Sequence, residues 1–139
     1  MDNETRQETP LPEEARIHDA DWVNRFIEVH LNDVSDSKYQ LFKSDNRSLS
    51  LRIQNGRIDF TGIDYGDPCE MINGTDEYEF HYCLDEINTH ILLKQLRLEY
   101  GTTEALSTIL EKAFGCDDGS VRFEKYCDQI GVEVRFLSF

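Results

Sequence analysis

Asn55-Gly56 lies between two runs in which apolar residues recur at every second position. Leu49, Leu51 and Ile53 come before it, and Ile58 and Phe60 follow. A two-residue type I′ turn requires positive φ at both central positions, which asparagine and glycine tolerate. Its backbone twist also matches the twist of the flanking strands. The dipeptide therefore predicts an antiparallel hairpin over roughly 48–54 and 57–63. Alternation puts Ser50, Arg52, Gln54, Arg57 and Asp59 on the other face, for solvent or a partner. A sheet with one apolar face needs a second layer to cover it.

The period of two extends upstream through Tyr39 and Leu41. It returns from about Glu77 to Cys83, with Tyr78, Phe80 and Tyr82 on one face and Glu77, Glu79 and His81 on the other. Between the hairpin and that strand, glycine and proline punctuate 62–68, which reads as a loop. From Asp85 the spacing becomes helical. Asp85 can cap a helix with Ile87, Ile91, Leu92 and Leu96 inward, Leu84 as its staple residue and Gly101 as its stop. Thr102 or Thr103 is expected to cap a second helix, in which Leu106, Ile109, Leu110, Ala113 and Phe114 are inward and which Gly115 ends. Ser120 starts a third, with Phe123, Tyr126, Cys127 and Ile130 inward and Gly131 as terminator. Val132, Val134 and Phe136 predict a last strand.

Near the start, Trp22, Phe26 and Val29 or His30 predict a helix from Asp19 or Asp21 to about Leu31, although 26–31 also reads as a strand. Residues 1–17, with Pro10, Pro12 and scattered acids, predict a flexible acidic tail, and 18–139 a single domain. The expected fold is α+β, a mostly antiparallel sheet of about four to five strands with two to four helices mainly on one face.

Charge limits the partners. Twenty-eight acidic residues against fourteen basic ones give a formal net charge of -14 on 139 residues. That field repels nucleic acid and anionic membrane and attracts a basic protein surface. The hydrophobic share of 39% and aromatic share of 11% exceed what a disordered acidic chain carries. No apolar run suits a signal peptide or a membrane span of about 20 residues, so a cytoplasmic location is expected. Cys69, Cys83, Cys116 and Cys127 are widely spaced without a CxxC pair, and reduced thiols are expected.

The acids that best suit a docking face are Asp64, Asp67 and Glu70, then Asp76, Glu77 and Glu79, with Tyr65 as an amphipathic anchor among them. Glu77 and Glu79 would sit about 7 Å apart on one strand face. The stretch from Asp64 to Glu70 lacks the twelve-residue calcium-loop pattern, and Cys69, His81 and Cys83 lack a fourth ligand at zinc spacing. No metal, cofactor or catalytic residue is assigned, because no GxSxG, HExxH, GxxxxGK or GxGxxG motif occurs. An alternative is a small enzyme or metal-binding domain using the Asp64, Glu79 and His81 region. Another is a structural adaptor that pairs through a sheet edge.

Glu77-Tyr78-Glu79-Phe80-His81-Tyr82, then Asp85-Glu86-Ile87-Asn88-Thr89, Leu92 to Leu96, and Phe123-x-x-Tyr126-Cys127 leading to Ile130-Gly131-Val132 make a further pattern. Across roughly 48–139 the chain resembles small acidic bacterial immunity proteins of polymorphic or contact-dependent toxin systems. The resemblance is one of composition and architecture. It implies a cytosolic inhibitor that binds one cognate toxin, commonly a nuclease, and performs no chemistry. It carries over no contact residue and leaves the oligomeric state open.

Overall fold

The computed structural model describes residues 31–66 and 76–139. The expected tail, the helix expected ahead of Leu31, and Asp67, Cys69 and Glu70 lie outside the described residues. A short 3-10 turn, Leu31–Val34, leads into five strands: β1 (Ser37–Lys43), β2 (Arg47–Gln54), β3 (Arg57–Tyr65), β4 (Glu77–Leu84) and β5 (Arg135–Ser138). They form one antiparallel sheet in the order β1-β2-β3-β4-β5. Three helices, α1 (Glu86–Tyr100), α2 (Leu106–Phe114) and α3 (Gly119–Gln129), lie in sequence between β4 and β5 and pack against the sheet. The architecture is the α+β arrangement expected from the change of period.

The hairpin follows its turn chemistry. Asn55 has φ 54° and Gly56 φ 75°, and Gln54 pairs with Arg57. Leu49, Leu51, Ile53, Ile58 and Phe60 are at most 1% exposed on the face that meets the helices. Each such side chain taken from water contributes about 1.5–3 kcal/mol. The Phe60 ring lies 4.6 Å from that of Phe123 and 6.2 Å from that of Phe114, joining the sheet to α3 and α2.

Strand β3 runs beyond its expected end. Residues 62–65 are strand, with Arg47 opposite Asp64 on one side and Tyr65 opposite Glu77 on the other. Glycine inside a strand often marks the close approach of another group. A Cβ on Gly62 would stand 2.0 Å from Cζ of Phe80, its cross-strand partner. The Phe80 ring fills the space that a side chain would take.

Two helix details and the start of the last strand differ from the sequence expectation. Asp85 does cap α1, accepting from the backbone N–H of Asn88 at 2.8 Å. The buried face of α1, however, is Thr89, Leu92, Leu93, Leu96 and Arg97, while Ile87 is 73% exposed and Ile91 42%. The backbone N–H of Ile58 donates to Thr89 Oγ1 at 3.0 Å in the interior, which turns Thr89 toward the sheet and Ile87 and Ile91 away. Helix α2 begins at Leu106, with Ala105 at the N-cap and no side-chain cap. Thr102 and Thr103 lie in the preceding loop, where the buried Arg97 guanidinium donates to the carbonyls of Gly101, Thr102 and Glu104. Strand β5 starts only at Arg135, because the Val132 N–H donates to the Cys127 carbonyl and Val132 stays buried at the end of α3.

Candidate functional site: the polar face of the sheet

The strand alternation that buries Leu49, Phe60 and Phe80 turns a polar surface the other way. Cross-strand register fixes its rows. Gln40, Ser50, Thr61, His81 and Leu137 form one row. Ser48, Ile63 and Glu79 form the next, and Tyr65 with Glu77 a third. In the opposite direction, Lys38, Arg52, Asp59, Cys83 and Arg135 share a row.

His81 is the centre of this face. Its Nδ1 lies 2.8 Å from Asp59 Oδ1, and its Nε2 lies 2.6 Å from Glu79 Oε2. Carboxylates accept and do not donate, so both ring nitrogens carry hydrogen in this arrangement. Thr61 Oγ1 donates to Asp59 at 3.0 Å and lies 3.1 Å from His81 Nδ1. The Phe139 ring stands edge-on to the imidazole at 5.4 Å, and the His81 side chain is only 15% exposed. Burial opposes the imidazolium charge, but hydrogen bonds to Asp59 and Glu79 outweigh it and raise the His81 pKa.

The candidate acids are divided between two faces. Glu77, Glu79 and Tyr65 share the polar face, with Asp76 exposed just ahead of β4. Asp64 faces the other way, since strand neighbours alternate and Ile63 is paired with Glu79. There Asp64 binds Arg47 through two contacts, Nε at 2.6 Å and Nη2 at 3.1 Å, while Arg47 Nη1 reaches the Asp117 carbonyl at 3.0 Å. This hydrogen bond to Asp64 is the largest influence raising the Arg47 pKa. The structure thus joins His81 to Glu79 and Asp59, and separates both from Asp64. Asp67 and Glu70 lie outside the described residues.

The arrangement is built for holding charge in place. His81 has no nitrogen available to take a proton from a neighbouring thiol, since both already face carboxylates. Cys83 shares its strand face, and burial together with Asp59 pushes its thiol pKa up. Cys83, Cys116 and Cys127 are free thiols, and burial pushes Cys127 up to about 12. Among the described residues, no group of three or more His, Cys, Asp or Glu side chains is placed to hold a metal ion. No helix among the described residues is long and apolar enough to cross a membrane.

Alternation already placed Asp59 on the polar face, but its pairing with His81 depends on which residue of β4 stands beside which residue of β3. The Arg47–Asp64 pair depends on register in the same way, across seventeen positions of sequence. Comparison with protein-family models, curated proteins and solved structures finds no match to this chain.

Proposed function

We propose that the protein is a cytoplasmic stoichiometric inhibitor of a basic protein, acting as an immunity protein toward a cognate bacterial toxin such as a nuclease. The observation that supports this most is the acidic end of the polar sheet face. Tyr65, Glu77 and Glu79 occupy adjacent register positions there, and Asp76 is exposed beside them. The net charge of -14 extends the same sign well beyond those residues.

Inhibition by this route needs complementarity and no chemistry. Carboxylates on the sheet face meet lysines and arginines of the partner, and the opposite fields speed encounter and disfavour wrong partners. Tyr65 supplies an aromatic contact with a polar tip, the residue type that anchors interfaces. The His81 cluster fixes Glu79 in one orientation, so that acid loses little freedom on binding.

Co-purification with the product of the adjacent gene is the direct test. Asp76→Lys with Glu77→Lys should then weaken the complex by about tenfold or more and flatten its salt dependence. An affinity and salt dependence unchanged by both reversals would remove the acidic end from the interface.

A further inference from the structure

The opposite end of the same sheet carries a cleft of about 780 Å³, where the β2–β3 turn, the end of β4 and the start of α1 meet the chain entering β5. Its lining includes Arg52, Arg57 and Arg135, three of the fourteen basic residues in a strongly acidic chain. We propose that this cleft is a binding site for a small polyvalent oxyanion, a phosphorylated or polycarboxylate compound. The site is separate from the acidic docking surface and does not depend on it.

Register brings the arginines together. Arg52 is opposite Asp59, Asp59 opposite Cys83, and Cys83 opposite Arg135. Three strand spacings, about 14 Å, separate the two arginine backbones. Arg57 opens β3 two residues before Asp59, on the same face. All three side chains are exposed. Among the described residues, those of Arg57 and Arg135 make no hydrogen bond or ion pair, and that of Arg52 makes one, to Gln54 at 3.3 Å.

The cleft also holds carboxylates, and their commitments decide its sign. Asp59 already accepts from His81 and Thr61. Asp85 accepts twice from Asn88, through its backbone and its side chain. A hydrogen bond from a neutral amide leaves Asp85 ionised, so Asp85 and Glu133 stand as two carboxylates against three guanidiniums, while His81 offsets Asp59. A guanidinium offers a planar fork of donors that matches phosphate and carboxylate oxygens. The volume falls within the range of small-molecule sites, roughly 300–1,000 Å³. The half-buried Val134 adds one apolar group to the lining.

The test is isothermal titration of the full chain with pyrophosphate and, separately, citrate, at fixed ionic strength with sodium chloride as background. Saturable binding of either probe is expected, and the stronger of the two identifies the ligand class. Arg52→Gln and Arg135→Gln should each weaken it about tenfold or more, as loss of a charged hydrogen bond does. Arg122→Gln, on α3 and paired with Asp118, should leave it unchanged. Circular dichroism of each variant separates lost binding from lost folding. No saturable binding of either probe, or binding that survives both cleft substitutions in folded protein, overturns the site.

Discussion

Gly62 and Phe80 illustrate how one missing side chain sets a local geometry. The ring tip lies where a Cβ would go, and Phe80 is only 6% exposed, so it has little room to retreat. Gly62→Ala should therefore destabilise the fold by about 1–3 kcal/mol, the usual cost of overpacking. Urea denaturation measures it, and adding Phe80→Leu should recover part of the loss. A neutral Gly62→Ala would mean the ring moves freely. His81 sets a pH dependence. Its pKa is raised on folding, so its contribution is fully present below the ordinary histidine value near 6.5 and is lost as pH rises through the folded value. The stability advantage of the native protein over His81→Gln should accordingly be larger at pH 6 than at pH 9. An advantage that does not change with pH would show that the imidazolium is not preferentially held.

Helix α1 is aimed by a hydrogen bond as much as by its apolar stripe. Thr89 is fully buried, and its hydroxyl accepts the N–H of Ile58 at the start of β3. Thr89→Val keeps the shape but leaves that donor unmet, which costs about 1–3 kcal/mol. The exposed Thr108→Val on α2 is the matched control and should stay within about 0.5 kcal/mol. Chemical denaturation of both variants provides the comparison, and equal midpoints would remove the role given to Thr89. The same contact explains why helical spacing misjudged this element. Ile87, Ile91, Leu92, Leu93 and Leu96 permit more than one apolar face, and the choice fell to a polar residue that hydropathy does not score. The hairpin posed no such choice, because its turn admits few residues and its alternation has only two phases.

Across the whole molecule, a net charge of -14 means that self-repulsion opposes compactness. The Debye length shrinks from about 30 Å at 0.01 M salt to about 8 Å at 0.15 M. Thermal stability should consequently rise over that range of sodium chloride, while binding to a basic partner weakens. Scanning calorimetry reads the first effect. A falling midpoint would mean that ion pairs such as Arg47–Asp64 outweigh the repulsion. The polar sheet face also divides its charge along the strands, with Arg52, Arg57 and Arg135 toward the β2–β3 turn and Glu77 and Glu79 toward the other end. His81 lies between them and holds one acid on each side, Asp59 in the arginine row and Glu79 at the acidic end.

Local rules were enough for the elements themselves. Turn chemistry at Asn55-Gly56, the period of two in β2 to β4, the Asp85 cap and the glycines at 101 and 115 are short-range constraints, written within a few residues of where they act. They made the α+β class and most element positions legible, along with the polar face that holds the candidate site. Which residues meet on that face is a matter of register and packing between distant segments. Asp64 read as a docking acid beside Glu79, yet strand pairing turned it to the opposite face and joined it to Arg47. Asp59 read as one polar residue among several, until β3 and β4 aligned it with His81. The arginine cleft arose in the same way, from strands β2 to β5, which put Arg52 and Arg135 in one row with Arg57 beside it. A strand's own residues decide which side chains share a face, but only its neighbours decide what those side chains touch.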